Sequence, residues 1–225
     1  MTSTATFHDA VRARHATRGF ISQPVADDVI RSVLEDAQLT PSNCNTQPWN
    51  VHIVSGAKRE ELSKALHLAY NAGQFTPDFS FDQGDYFGAY KAREANNGKL
   101  YYGALGVGRD DTAGRHAAGG RNLDFFNAPH VAFLFLPTFG DNVRVASDVG
   151  MYGQTFLMSL FAHGLAGCPQ TMLGFFANTV REVLGVSPEW KLLFGISFGY
   201  EDKESPANGY RISRDPVTEC VTYHR

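Results

Sequence analysis

The chain has 225 residues, enough for one large domain or two small ones, and with no linker in view a single domain over 1–225 is expected. Apolar residues make up 43% and can form a real core, whereas charged residues make up only 19%, so part of the surface is expected to lie against a partner. The net charge of −3 excludes a general binder of nucleic acid or anionic membranes.

Phe7, Ala10, Val11 and Arg14 recur at helical spacing and place a short helix over 8–13. Arg14-His15-Ala16-Thr17-Arg18 leaves it. Residues 24–28 open a second helix, with acidic groups in the first turn where they suit the helix dipole. Val29, Ile30, Val33, Leu34 and Ala37 give it an apolar face, and Pro41 ends it. Trp49, Val51 and Ile53 alternate with Asn50, His52 and Val54, the pattern of a strand. Residues 57–70 form an amphipathic helix with Leu62, Ala65, Leu66 and Ala69 inward. Residues 71–121 show no regular pattern and are rich in glycine and aromatics, so an irregular lid or insertion is expected there. The continuous apolar run 131–136 is a buried strand. Residues 141–163 give the longest helical pattern, apolar nearly all round, which requires burial in a core or an interface. Residues 164–174 read as a connection in which Gly164 caps that helix. A short helix follows over 178–184, then a strand over 192–200 and a last strand over 217–223. The order is that of an α+β protein.

Four segments carry candidate chemistry. Arg14 and Arg18 can converge on one anion, because a guanidinium offers paired donors at fixed geometry, although two solvated surface arginines read the same way. The stretch from Pro41 to Trp49 sets hydrogen-bonding side chains between two prolines, and it either presents donors and acceptors to a heterocycle or simply turns. The glycines of 164–174 let backbone approach a flat ligand, without matching a dinucleotide or Walker loop. Asn208-Gly209-Tyr210-Arg211-Ile212-Ser213-Arg214 adds two cations or a surface turn. The eight histidines form no HxH or HExxH pair, so no metal site is expected. Cys44, Cys168 and Cys220 stand apart, no apolar run has signal-peptide length at the start, and none could span a membrane. A reduced, cytoplasmic protein is the expectation.

In this order the segments resemble the nitroreductase family over nearly the whole chain, from Phe7 to Tyr223. The most specific piece is Pro41-Ser42-Asn43-x-Asn45-x-Gln47-Pro48-Trp49 behind a helix and an RHxxR segment, and Ala128-Pro129-His130 before a strand and Gly199-Tyr200 with Arg214-x-Pro216 agree. The resemblance implies an α/β sandwich with a mostly antiparallel central sheet, helices on both faces, and an intertwined homodimer with FMN at the interface. It implies an oxidoreductase that takes hydride from NADH or NADPH and reduces nitroaromatic or quinone-like acceptors by a ping-pong mechanism. The flavin then carries the chemistry and no catalytic side chain is needed. Dehalogenation, enone or flavin reduction, and flavin binding without catalysis stay open as alternatives.

By position, Arg14 and Arg18 match FMN-phosphate contacts, with His15 and Ala16 between them and Ala16 where the family usually has serine. Pro41, Ser42, Asn43, Asn45 and Gln47 match a loop bordering the flavin from the neighbouring subunit. Pro169, Gln170, Thr171 and Met172 match the backbone against the isoalloxazine, with the Thr171 N–H facing N5. Arg214 matches a C-terminal phosphate contact, Arg211 supplies a second cation beside Ile212, where some members have lysine, and Arg121 or Asn122 is placed at the pyrimidine edge. Phe125, Phe126 and the aromatics of 86–102 either line the oxidant pocket or belong to the core.

Overall fold

The computed structural model describes residues 6–225. Four strands, β1 (Asn50–Ser55), β2 (His130–Leu136), β3 (Ala166–Gln170) and β4 (Lys191–Gly199), form one antiparallel sheet in the order β1-β2-β4-β3. Central β2 is buried along its whole length. Its Val131, Phe133 and Phe135 pack with Leu62 and Leu66 of α3 (Gly56–Asn71) and Val180 of α8 (Ala177–Leu184). Its Ala132, Leu134 and Leu136 pack with Val33 and Ala37 of α2 (Asp27–Gln38) and with Val149, Phe156 and Leu160 of α6 (Val143–Ala162). Alternate side chains thus feed two separate cores, which is why this strand reads as an unbroken apolar run. Helices on both faces of the sheet make the α+β sandwich that was expected.

Local chemistry sets the boundaries. α1 (Phe7–Ala13) begins with a reciprocal cap: Asp9 N–H donates to Thr6 Oγ1 at 3.2 Å, and Thr6 N–H donates to Asp9 Oδ2 at 3.1 Å. α8 ends at Gly185, whose φ of 67° favours glycine.

Three expectations are corrected. The 71–121 stretch holds two further helices, α4 (Gly88–Ala104) and α5 (Thr112–Gly120). Alanine, lysine, arginine and glutamate make α4 a good helix former, yet it buries no residue, so it has no apolar stripe for periodicity to detect. The connection at 164–174 contains β3 and a one-turn helix, α7 (Thr171–Gly174). A side chain at Gly167 would come within 2.7 Å of Leu157 and 2.9 Å of Leu160, and Pro169 is tolerated because β3 is an edge strand, so this strand lacks the usual alternation. The stretch 217–223 is not a strand. Val217–Glu219 form a single turn, with the Cys220 and Val221 N–H groups donating back to Val217 O at 3.1 and 2.9 Å, and Val217, Val221 and Tyr223 are exposed. Among the described residues no helix is long and apolar enough to cross a membrane.

Candidate active site

Beyond α1 the chain runs extended along the free edge of β3. Ala16 bridges Gly167 in parallel, the Thr17 N–H donates to Gly167 O at 3.3 Å, and farther on the Ile21 N–H donates to Tyr200 O at 3.1 Å. Ala16 packs against the core, while Arg14 and Arg18 are only half-buried. Buried Asn208 clasps this segment: its Oδ1 accepts from Arg18 N–H at 2.7 Å and its Nδ2 donates to Gly19 O at 2.8 Å. Gly19 is required there, since a Cβ would lie 2.3 Å from Ser205 Oγ.

The arginines behave differently. Arg18 donates to the Tyr210 hydroxyl at 2.8 Å and lies over the ring of Tyr101, 5.3 Å from its centroid, so its guanidinium is aimed by two aromatic side chains. Burial raises the pKa of both tyrosines, and the Tyr101 hydroxyl donates to Ala118 O at 3.2 Å. Arg14 makes no ion pair among the described residues. Burial, and then the neighbouring charge of Arg214, lower its proton affinity, though a guanidinium stays charged. Arg214 donates to Ile212 O and Ser213 O, both at 3.2 Å, and Arg211 to Asn208 O at 2.7 Å and Tyr210 O at 2.8 Å. The charges of Arg14 and Arg214 are close enough to interact, with Arg18 on the same segment, and Arg211 and Arg214 both fold onto local backbone carbonyls. His15 is diverted to structure, with Nε2 3.0 Å from Glu201 Oε1 and Nδ1 3.1 Å from Ala13 O.

Arg14, His15 and Thr17 line a cleft of about 730 Å³ with Phe161, Gly167 and Glu201. That size suits a small organic ligand. Thr17 is 1% exposed, and its hydroxyl has no hydrogen-bond partner among the described residues. With the Glu201 carboxylate tied to His15, the orphaned hydroxyl and the Arg14 guanidinium are donors left for an anion. The Cys168 thiol behind them is pushed up to about 11 by burial, which makes it an inert packing group.

Pro169 and Thr171 are exposed and Met172 half-buried, so this backbone is open to a ligand, whereas Gln170 turns inward to Asn122 and Ser197. Arg121 donates to Arg18 O at 2.7 Å and so supports the arginine segment. Phe125 and Phe126 are core residues.

The loop from Pro41 to Gln47 lies elsewhere. Its Asn43 N–H donates to Asp148 Oδ2 at 3.1 Å, near the start of α6, while the arginine segment meets the chain just beyond the end of α6. At 1.5 Å per residue the two ends are roughly 20 Å apart. The loop is tightly built: Cys44, Asn45 and Gln47 have φ of 51°, 57° and 47°, and Gln47 N–H donates to Ser42 Oγ at 2.9 Å. Strain of this kind clusters at ligand sites. Sequence reasoning did not pick out the Tyr101–Arg18–Tyr210 clamp, the Asn208 clasp or the Thr17 hydroxyl. The signal for the last was its place between two arginines.

The model of the Nitroreductase family matches residues 11–200. The chain is 43% identical to the Nitroreductase NfnB of Mycolicibacterium smegmatis over 96% of its own length and 91% of that protein's. It is 32% identical to a 4-nitrobenzoate reductase of Pseudomonas putida, covering 93% of this chain and 91% of the relative. The fold matches the crystal structure of the FMN-dependent nitroreductase NfnB from Mycobacterium smegmatis in complex with NADPH with a TM-score of 0.94 at 42% identity, over 97% of each chain.

Proposed function

The chain belongs to the nitroreductase family, and from that premise we propose that it is an FMN-dependent oxidoreductase that takes hydride from NADH or NADPH and reduces nitroaromatic acceptors. The observation that carries the cofactor reading is the cluster of Arg14, Arg214 and the orphaned Thr17 hydroxyl, which fits a phosphate dianion. Arg14, Arg18 and Arg214 hold that phosphate, and the departure at Ala16 leaves its backbone, not a hydroxyl, beside it. When bound, FMN supplies the two-electron chemistry that these side chains lack. The stretch Pro169–Met172, open at Pro169 and Thr171, borders the ring and excludes water from one face. The cations and N–H groups around it favour negative charge on the reduced cofactor.

The protein works as a homodimer. Val143 and Met151 leave apolar surface exposed along α6, and the Pro41–Gln47 loop sits at the opposite end of that helix from the arginines, so a second copy is needed to bring Ser42, Asn43, Asn45 and Gln47 to the same flavin. Three free cysteines suit a reducing, cytoplasmic setting. Residues 1–225 act as one FMN-binding domain, with α4 and α5 forming the cover over the oxidant.

Purified protein is expected to be yellow, to bleach with NADH or NADPH, and to recover its colour with 4-nitrobenzoate. A protein that stays colourless after incubation with FMN contradicts the cofactor reading. One that bleaches but is never reoxidised by nitroaromatics contradicts the substrate class. Sedimentation at low concentration is expected to give a dimer, and a monomer retaining FMN would contradict the shared site.

A further inference from the structure

Gln170 is 3% exposed and closes β3 beside Thr171. Its Nε2 lies 3.0 Å from Asn122 O and 3.2 Å from Asn122 Oδ1, and its Oε1 meets the hydroxyl of Ser197, which is fully buried on β4. A backbone carbonyl can only accept, so the end of the amide facing Asn122 is the NH2 and the end facing Ser197 is the oxygen. Ser197 therefore donates. The same reasoning passes to Asn122: its Oδ1 receives the second Gln170 N–H, so its Nδ2 is the amino group, donating to Gly119 O at 3.1 Å. One N–H of half-buried Asn122 remains uncommitted among the described residues.

We infer that Ser197 is a positioning residue: the backbone carbonyls of Asn122 and Gly119 set the polarity of the two amides, and Ser197, by anchoring the oxygen end of Gln170, holds the Asn122 carboxamide in place with its uncommitted donor toward the cofactor and ties the end of β3 to the turn after α5. The inference rests on the FMN reading above. The chain of bonds is buried at Ser197 and Gln170, where an unmade hydrogen bond is costly and the polarity of each amide is correspondingly fixed. A fixed donor suits a carbonyl oxygen of the flavin pyrimidine edge, and it favours the reduced cofactor, on which that oxygen is more negative.

The test compares wild type, Ser197→Ala, Ser197→Thr and Asn122→Ala, each titrated with FMN, with the visible spectrum and midpoint potential recorded on the loaded protein. In Ser197→Ala the Gln170 oxygen loses its donor, and the amide, still held to Asn122 O, is anchored at one end only. FMN binding is expected to weaken on the order of tenfold, with a lower potential and a shifted flavin band. Ser197→Thr keeps the hydroxyl and is expected to restore all three. Asn122→Ala leaves Gln170 its carbonyl partner but removes the donor, so its potential is expected to fall as well. A folded Ser197→Ala that matches wild type in affinity, spectrum and potential overturns the inference. If that variant does not fold, an unchanged potential in Asn122→Ala overturns it. Failure of the wild type to take up FMN sinks the functional reading itself, and this inference with it.

Discussion

Arg181 and Arg14 are both drawn out of water, yet only one of them is fully partnered. Arg181 donates to both carboxylate oxygens of Asp78, at 2.5 and 3.1 Å, and to Trp190 O and Asn178 Oδ1 at 3.2 and 2.6 Å. Asp78 in turn accepts the Leu192 N–H at 2.8 Å, so this network pins the chain after α3 to α8 and β4. Arg14 faces the charge of Arg214, makes no ion pair among the described residues, and lines a cleft with the unpartnered Thr17 hydroxyl. The fold closes one cation completely and leaves the other open. A closed network stabilises the protein alone, whereas an open cluster of like charges is stabilised only by what binds it.

The comparison can be broken most forcefully at Asp78. Asp78→Ala strands a buried guanidinium, and urea unfolding is expected to show a loss of about 3–5 kcal/mol, with unchanged FMN affinity in the molecules that remain folded. Arg14→Ala should behave in the opposite way. Its stability without cofactor is expected to stay level or rise as the repulsion from Arg214 disappears, while calorimetric titration shows FMN binding weakened by about 1.5–3 kcal/mol. A variant of Arg14 that unfolds as readily as one of Asp78, yet still holds FMN, would erase the distinction.

A smaller effect concerns pH. Buried His130 accepts the Val25 N–H at Nε2 over 2.9 Å, so the neutral ring carries its proton on Nδ1, and burial lowers its pKa, against the opposing pull of Asp27. His52 is shifted the same way by burial. The unfolded chain takes up these protons first. Their contribution to stability is therefore whole above the ordinary histidine pKa of about 6.5 and is lost as pH falls below it. Melting temperature is expected to drop between pH 7.5 and 5.5, and His130→Gln to flatten that slope; an identical slope in the variant would show that His130 does not contribute.

The sandwich was legible wherever burial left a pattern. β2 announced itself as an apolar run and α6 as a long apolar helix, because packing decides those positions. α4 was missed because nothing in it is buried, and β3 because Gly167 and Pro169 answer to close packing and edge position rather than alternation. The site was legible in its cations and its polar loop, since those residue types announce their chemistry. Which cation is aimed, and by what, was not: Tyr101 and Tyr210 reach Arg18 from far along the chain. Gln170 was placed against the flavin on the strength of its neighbours, whereas its side chain points into the protein.

Riboflavin and FMN differ only in the phosphate, so their binding to the same protein isolates the arginine cluster. Calorimetric titration is expected to show FMN binding on the order of a hundredfold more tightly than riboflavin, with Arg14→Ala narrowing the ratio. Equal affinity for the two ligands in the wild type would contradict the account.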